Sequence, residues 1–113
     1  MLQSLLGSLD AERVLLYLSA RGSGYGREIA EFWQTNSSGI QRQLDKLEAG
    51  GVLTGEAIGR TKVYRWNERW PFHTELKALI QKATSLMPDQ ERTRLLDHRR
   101  RPRRLGKPLE TAR

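Results

Sequence analysis

A mainly α-helical domain with one small β-hairpin is the fold this sequence predicts. Three observations predict it. Apolar residues recur at helical spacing in several separate stretches. Glycines in Arg21-Gly22-Ser23-Gly24 and Gly50-Gly51 punctuate those stretches. One run, Lys62-Val63-Tyr64-Arg65-Trp66, alternates as a half-buried strand does and follows a turn at Ile58-Gly59-Arg60-Thr61.

The first helix is expected over Leu9 to Ala20. Val14, Leu15 and Leu18, with Leu5 before them, fall on helical spacing, and Ser8 or Asp10 can cap the start. A short second helix follows from Tyr25 to Trp33, with Ile29, Ala30 and Trp33 on one face. Gln34-Thr35-Asn36 makes a turn, and Asn36 or Thr35 caps a third helix, Ser37 to Ala49. Ile40, Leu44 and Leu47 face its core side. Ser37, Ser38, Gln41, Arg42, Gln43, Asp45 and Lys46 are expected to face outward. Val52-Leu53-Thr54 opens the hairpin. A fourth helix starts at Pro71 or Phe72 and ends near Leu86, with Phe72, Leu76, Leu79, Ile80, Ala83 and Met87 as its apolar stripe. This order of elements is that of a winged helix-turn-helix: a three-helix core, a hairpin wing and an extra C-terminal helix.

A boundary is expected at Met87-Pro88-Asp89. Residues 1–88 form the domain, and residues 89–113 form a basic C-terminal tail, partly helical or disordered. Asp89 to Arg101 can continue as a helix anchored by Leu95 and Leu96, ahead of the cluster Arg99-Arg100-Arg101-Pro102-Arg103-Arg104. The 113-residue chain has a formal charge of +7, which suggests a polyanionic partner. The first 88 residues carry 11 Lys/Arg against 9 Asp/Glu, and the tail carries 9 against 4. The body is therefore only mildly basic, and a nucleic-acid reading of it must rest on layout.

The chain has no cysteine. That excludes disulfides, thiolate metal sites and a cysteine nucleophile, and it fits a reducing cytoplasm, the expected location. Met1 to Asp10 has no basic segment before its leucines, so no secretory signal is expected. No apolar run approaches the roughly 18 residues of a membrane span. His73 and His98 stand alone and are expected to face solvent. No base–nucleophile pattern or phosphate-binding glycine loop is present, so no catalysis, cofactor or metal is expected. Trp33, Trp66 and Trp70 read as core or interface residues rather than platforms for unpaired bases.

The turn before the third helix would hold that helix with one face free, and a rod of that diameter fits the major groove of duplex DNA. Ser37 and Ser38 are short donors and acceptors. Gln41 and Gln43 suit an adenine edge, and Arg42 suits guanine. Tyr25 and Arg27 are placed to hold a backbone phosphate, as is Lys46. Arg60, Thr61 and Lys62 form a tip that reaches the neighbouring minor groove or its phosphates.

The pieces REIAEFW, SSGIQRQLDKLEAGGVL and GRTKVYRWN, together with the pattern Leu44-Asp45-Lys46-Leu47-Glu48-Ala49-Gly50-Gly51-Val52-Leu53, resemble the winged helix-turn-helix of ArsR/MarR-type bacterial transcriptional regulators. The opening LLGSLDAERVLLYL resembles a subgroup found with nucleotidyltransferases. The likeness covers roughly residues 5–86. It implies a homodimer on a two-fold operator, paired through helix 9–20 and helix 71–87. Metal-sensing members use cysteines or histidine–carboxylate clusters, which this chain lacks. Two alternatives stand beside this expectation: a winged-helix protein-interaction module, such as an adaptor for a nucleotidyltransferase, and an RNA binder. Gly39 in the first turn of the third helix leaves open whether it admits DNA or loosens the helix.

Overall fold

The computed structural model describes residues 1–97. It is mainly helical with a small antiparallel sheet, in the order α1 (Gln3–Leu6), α2 (Leu9–Arg21), β1 (Ser23–Gly24), α3 (Gly26–Trp33), α4 (Ser37–Ala49), β2 (Leu53–Ile58), β3 (Thr61–Trp66), α5 (His73–Ser85) and α6 (Asp89–Leu96).

The core forms around α2. Ser8 caps its start by accepting the Ala11 N–H at 2.9 Å, so Ser8 rather than Asp10 is the cap. Val14, Leu15, Leu16, Tyr17 and Leu18 are all buried. A continuous buried run is what a helix shows when neighbours cover it on nearly every side. Here α3, α4, α5 and α6 all pack on α2. Leu9, at the start of the same helix, remains partly exposed. Leu5, expected on the same apolar stripe, is 66% exposed. It sits in α1, which ends at Gly7 before Ser8 caps the next helix.

The second helix starts at Gly26, with Tyr25 as its cap residue. It stops at Gln34, which takes a positive φ of 55°. Asn36, not Thr35, caps α4. Its Oδ1 accepts the Ser38 N–H and the Ser38 hydroxyl, each at 2.7 Å. Ile29, Ala30, Ile40 and Leu44 are buried together in the core.

The sheet order is β1-β3-β2. Strands β2 and β3 pair from Leu53↔Trp66 to Ile58↔Thr61, which leaves Gly59-Arg60 as a two-residue turn. The two-residue β1 pairs Ser23 with Arg65 and Gly24 with Tyr64. That strand was not expected, because its residues read only as a helix stop.

Helix α5 begins at His73, after Pro71 and Phe72. Ile80 and Ala83 are buried, and so is Met87 just beyond its end. Phe72 does not join the stripe: it precedes the helix, is 62% exposed and packs edge-on to Trp70. His73 is half-buried, with its ring 5.6 Å from that of Trp66, and does not simply face solvent. His98 and Arg99 to Arg104 lie outside the described residues.

The boundary expected at Met87-Pro88-Asp89 is a bend inside the body. Helix α6 returns to α2, and Leu95 is fully buried in the common core. The Arg94 guanidinium bonds the Phe32 carbonyl at 2.8 Å and lies over the Phe32 ring. Arg21 Nε bonds the Leu95 carbonyl at 3.1 Å. Among the described residues, no helix is long and apolar enough to cross a membrane.

Two consequences are measurable. Leu95→Ala should lower unfolding free energy by about 2–5 kcal/mol in a urea titration. An unchanged midpoint would mean that α6 contributes nothing to the core. Burial pushes the Tyr17 phenol up from 10.0 to about 12. A phenol whose folded pKa is raised stabilises the fold below pH 10 and loses that contribution as pH rises from 10 to 12. Urea midpoints should hold level to pH 9.5 and fall above pH 10, less steeply in Tyr17→Phe.

Candidate nucleic-acid interface

Helix α4 presents three different faces. Ile40 and Leu44 are fully buried against α2 and α3. On the opposite side Ser38, Arg42 and Asp45, spaced i, i+4 and i+7, are exposed, with exposed Lys46 beside them. Gln41 and Gln43 are half-buried and occupy the two flanks between these faces. The outward set expected from the sequence is therefore split. Serine, arginine, aspartate and lysine stand outermost, and the glutamines do not.

The Gln41 flank is tied to the hairpin. Gln41 Nε2 donates to the Tyr64 hydroxyl at 2.9 Å and to Asp45 Oδ1 at 2.9 Å. The Tyr64 hydroxyl donates to the same Asp45 oxygen at 3.1 Å. A Cβ on Gly26 would collide with Gln41 Oε1, so the amide oxygen is turned toward the start of α3. Gln41 Nε2 is thus engaged twice, and the expected free amide joins α4 to β3 with its oxygen beside the start of α3. Burial pushes the Tyr64 phenol up, so it stays protonated and able to donate at neutral pH.

The hairpin has a second tie. Lys62 Nζ donates to Glu48 Oε1 at 2.7 Å and lies 5.4 Å from the centre of the Tyr64 ring. That hydrogen bond holds the Lys62 ammonium above its ordinary value. Expected as a free tip residue, Lys62 is already paired. Arg60 is exposed in the two-residue turn, and Thr61 is half-buried at the first position of β3. The expected tip of Arg60, Thr61 and Lys62 thus presents one unengaged cation, Arg60.

At the start of α3, Tyr25 is partly exposed and its N–H donates to Glu28 Oε1 at 3.4 Å. Arg27 is exposed on the first turn, next to Gly26 and therefore next to the Gln41 joint. Ser37 is exposed at the first position of α4. The Ser38 hydroxyl donates to the Asn36 cap, which leaves its oxygen as an acceptor.

Gly39 has a clear role. A Cβ there would collide with Asp10 Oδ2, so the missing side chain lets α2 approach the first turn of α4. It faces the Asp10 side chain at the start of α2. Asp10 is held by Arg13 at 3.1 Å, and Arg13 also reaches Thr35 in the turn. This second joint, like that of Gln41, was invisible in the sequence because its partners lie far apart in the chain.

Among the described residues, no group of three or more histidine, aspartate or glutamate side chains converges as a metal cluster. No family profile, curated protein or solved structure matches the chain.

The Gln41–Tyr64–Asp45 joint should be measurable by itself. Tyr64→Phe should cost about 1 kcal/mol and speed hydrogen exchange at the β2 and β3 amides more than in α2. Equal exchange in both proteins would mean that the hydroxyl does not hold the hairpin.

Proposed function

We propose that the protein is a sequence-specific double-stranded DNA-binding transcriptional regulator built on a winged helix-turn-helix, related to the ArsR/MarR-type regulators. In this reading α3 and α4 are the helix-turn-helix, and the β2–β3 hairpin is the wing. It has no catalytic role. The observation that carries it is the exposed row of Ser38, Arg42 and Lys46 along α4, with exposed Arg27 on one side and exposed Arg60 at the hairpin turn. That helix is fixed on its opposite face by Ile40 and Leu44 and braced by α3. A rigid helix with one free polar face, flanked by cations, is the arrangement that reads a major groove while neighbouring groups hold phosphates.

Arg42 carries the base contact, bidentate to a guanine. Ser37, Ser38 and Lys46 support it from the same face. Tyr25 and Arg27 meet one phosphate strand and Arg60 the other. Gln41, bonded to Tyr64 and Asp45, braces the hairpin, and half-buried Gln43 flanks the reading face. Lys62 contributes less than Arg60, because Glu48 already neutralises it. Two copies act together on a two-fold site. The pairing runs through α2 and α5, where Leu9 and, at the end of α5, Leu86 are exposed.

A second reading has one observation in its favour. Two acids, Asp45 and Glu48, lie on or beside the outward side of α4, and one of them cancels a hairpin cation. A protein-interaction module, such as an adaptor for a nucleotidyltransferase, would tolerate them more easily than a DNA reader. It predicts a stable hetero-complex and weak, salt-insensitive DNA binding.

Fluorescence anisotropy over a salt series, using duplexes enriched from a random pool, separates the two. Arg42→Ala should lose about 1–3 kcal/mol on the enriched duplex and much less on unrelated duplex. Arg60→Ala should weaken both equally and reduce the salt slope by about 1. Parent-like binding by both variants would mean that this face does not meet DNA.

A further inference from the structure

The row along α4 contains one residue that the proposed reading leaves unexplained. Asp45 is exposed, one turn beyond Arg42, among groups that would otherwise all suit phosphates or guanine. A carboxylate facing a nucleic acid is repelled by the phosphates and loses its water on docking. It therefore weakens binding to most sequences unless a base offers it a donor.

The position of this carboxylate is fixed before any ligand arrives. Gln41 Nε2 and the Tyr64 hydroxyl both donate to Oδ1, from 2.9 and 3.1 Å. Gln41 is half-buried and Tyr64 is buried, so the side chain is anchored from the protein side. Bracing the hairpin needs only that one oxygen. Oδ2 makes no hydrogen bond or ion pair among the described residues. Glu48, one turn along on the hairpin side, differs: its Oε1 forms an ion pair with Lys62 at 2.7 Å. Asp45 is thus an acid of this helix face that is pre-positioned and makes no ion pair among the described residues, with the Lys62 ammonium near enough to feel its charge.

Resting on the DNA-binding reading above, we propose that Asp45 is a specificity-determining residue, whose Oδ2 accepts a hydrogen bond from the N4 amino group of a cytosine. The major-groove edge of cytosine offers an amino donor without an adjoining acceptor on the same base. Adenine places the N7 acceptor beside its amino group, and thymine and guanine present acceptors, which repel a carboxylate. Arg42 and Asp45 are three residues apart, so their Cβ atoms stand about 5–6 Å apart on one face. Successive base pairs rise about 3.4 Å, so the two side chains reach neighbouring pairs. Each half-site then carries a guanine met by Arg42 and, at the adjacent pair, a cytosine met by Asp45. The arginine supplies attraction, and the aspartate rejects other sequences.

Selection from a randomised duplex pool at physiological salt, followed by single-base scanning of the enriched site, tests this. The parent protein should enrich adjacent guanine and cytosine. Replacing that cytosine by thymine should weaken binding by about fivefold to a hundredfold. Asp45→Asn should lose discrimination at that one position and keep the guanine requirement. It should also bind unselected duplex about fivefold more tightly than the parent, because a repelling charge is gone. Tyr64→Phe, which keeps the carboxylate but loosens it, should still choose cytosine with a smaller margin. An enriched site without a cytosine requirement overturns the assignment, as does an Asp45→Asn variant that chooses the same cytosine by the same factor. Because the base scan uses the parent alone, the test stands even if a variant folds poorly. Failure of the parent to enrich any duplex would overturn the DNA-binding reading itself, and this assignment with it.

Discussion

The burial of α2 is the constraint on which the rest of the structure depends. Five consecutive residues, Val14 to Leu18, are covered, so no side of that stretch is left for anything but the protein's own elements. Helix α4 must come close, and the absence of a side chain at Gly39 lets Asp10 sit against its first turn. Helix α3 is held from the same centre: the Trp33 indole donates to the Arg13 carbonyl at 3.0 Å, and Phe32 meets Tyr17 edge to face. Helix α6 closes the remaining side through Leu95 and Arg94. Removing large side chains from such a centre costs more than the same change at a rim, because the surroundings collapse only partly.

That centre fixes α4, and a separate polar joint fixes the hairpin against it. Tyr64, Gln41 and Asp45 share three hydrogen bonds, and Lys62 with Glu48 adds an exposed ion pair that contributes little energy by itself. Their value is geometric. The hairpin turn with Arg60 and the exposed row with Arg42 are held in one relative position, so a ligand meeting both has little ordering left to impose. The same joint occupies the Gln41 amide nitrogen. The exposed row along α4 therefore has a sharper chemistry than a generally basic patch: one guanidinium, one ammonium, one carboxylate and serine hydroxyls.

Periodicity and punctuation made most of the helices legible. Helices α2, α4 and α5 fall within a residue or two of their expected bounds, because each has a clear apolar repeat and a glycine, cap residue or proline at one end. What escaped depends on distant partners. Strand β1 is two residues long and exists only through pairing with Arg65 and Tyr64, some forty residues on. The docking of α6 rests on one buried leucine in a charged stretch and on arginine contacts with distant partners. Leu5 and Phe72 look apolar and periodic, but a helix break at Gly7 and a late start at His73 leave them outside. The site divides in the same way. Arg27, Arg42, Lys46 and Arg60 are exposed as expected. Gln41 and Lys62 are engaged by Tyr64 and Glu48, contacts that chain spacing does not reveal.

The most direct test of the account is a titration of isotope-labelled protein with a short duplex, following each backbone amide by NMR. The account predicts that the largest shifts fall on the first turn of α3, on Ser37 to Lys46, and on Gly59 to Lys62. The amides of α5 and α6 should move little at low protein concentration. Shifts centred on α5 and α6, or none at any duplex concentration with the fold intact, would contradict the claim that α4 and the hairpin together form a DNA-reading face.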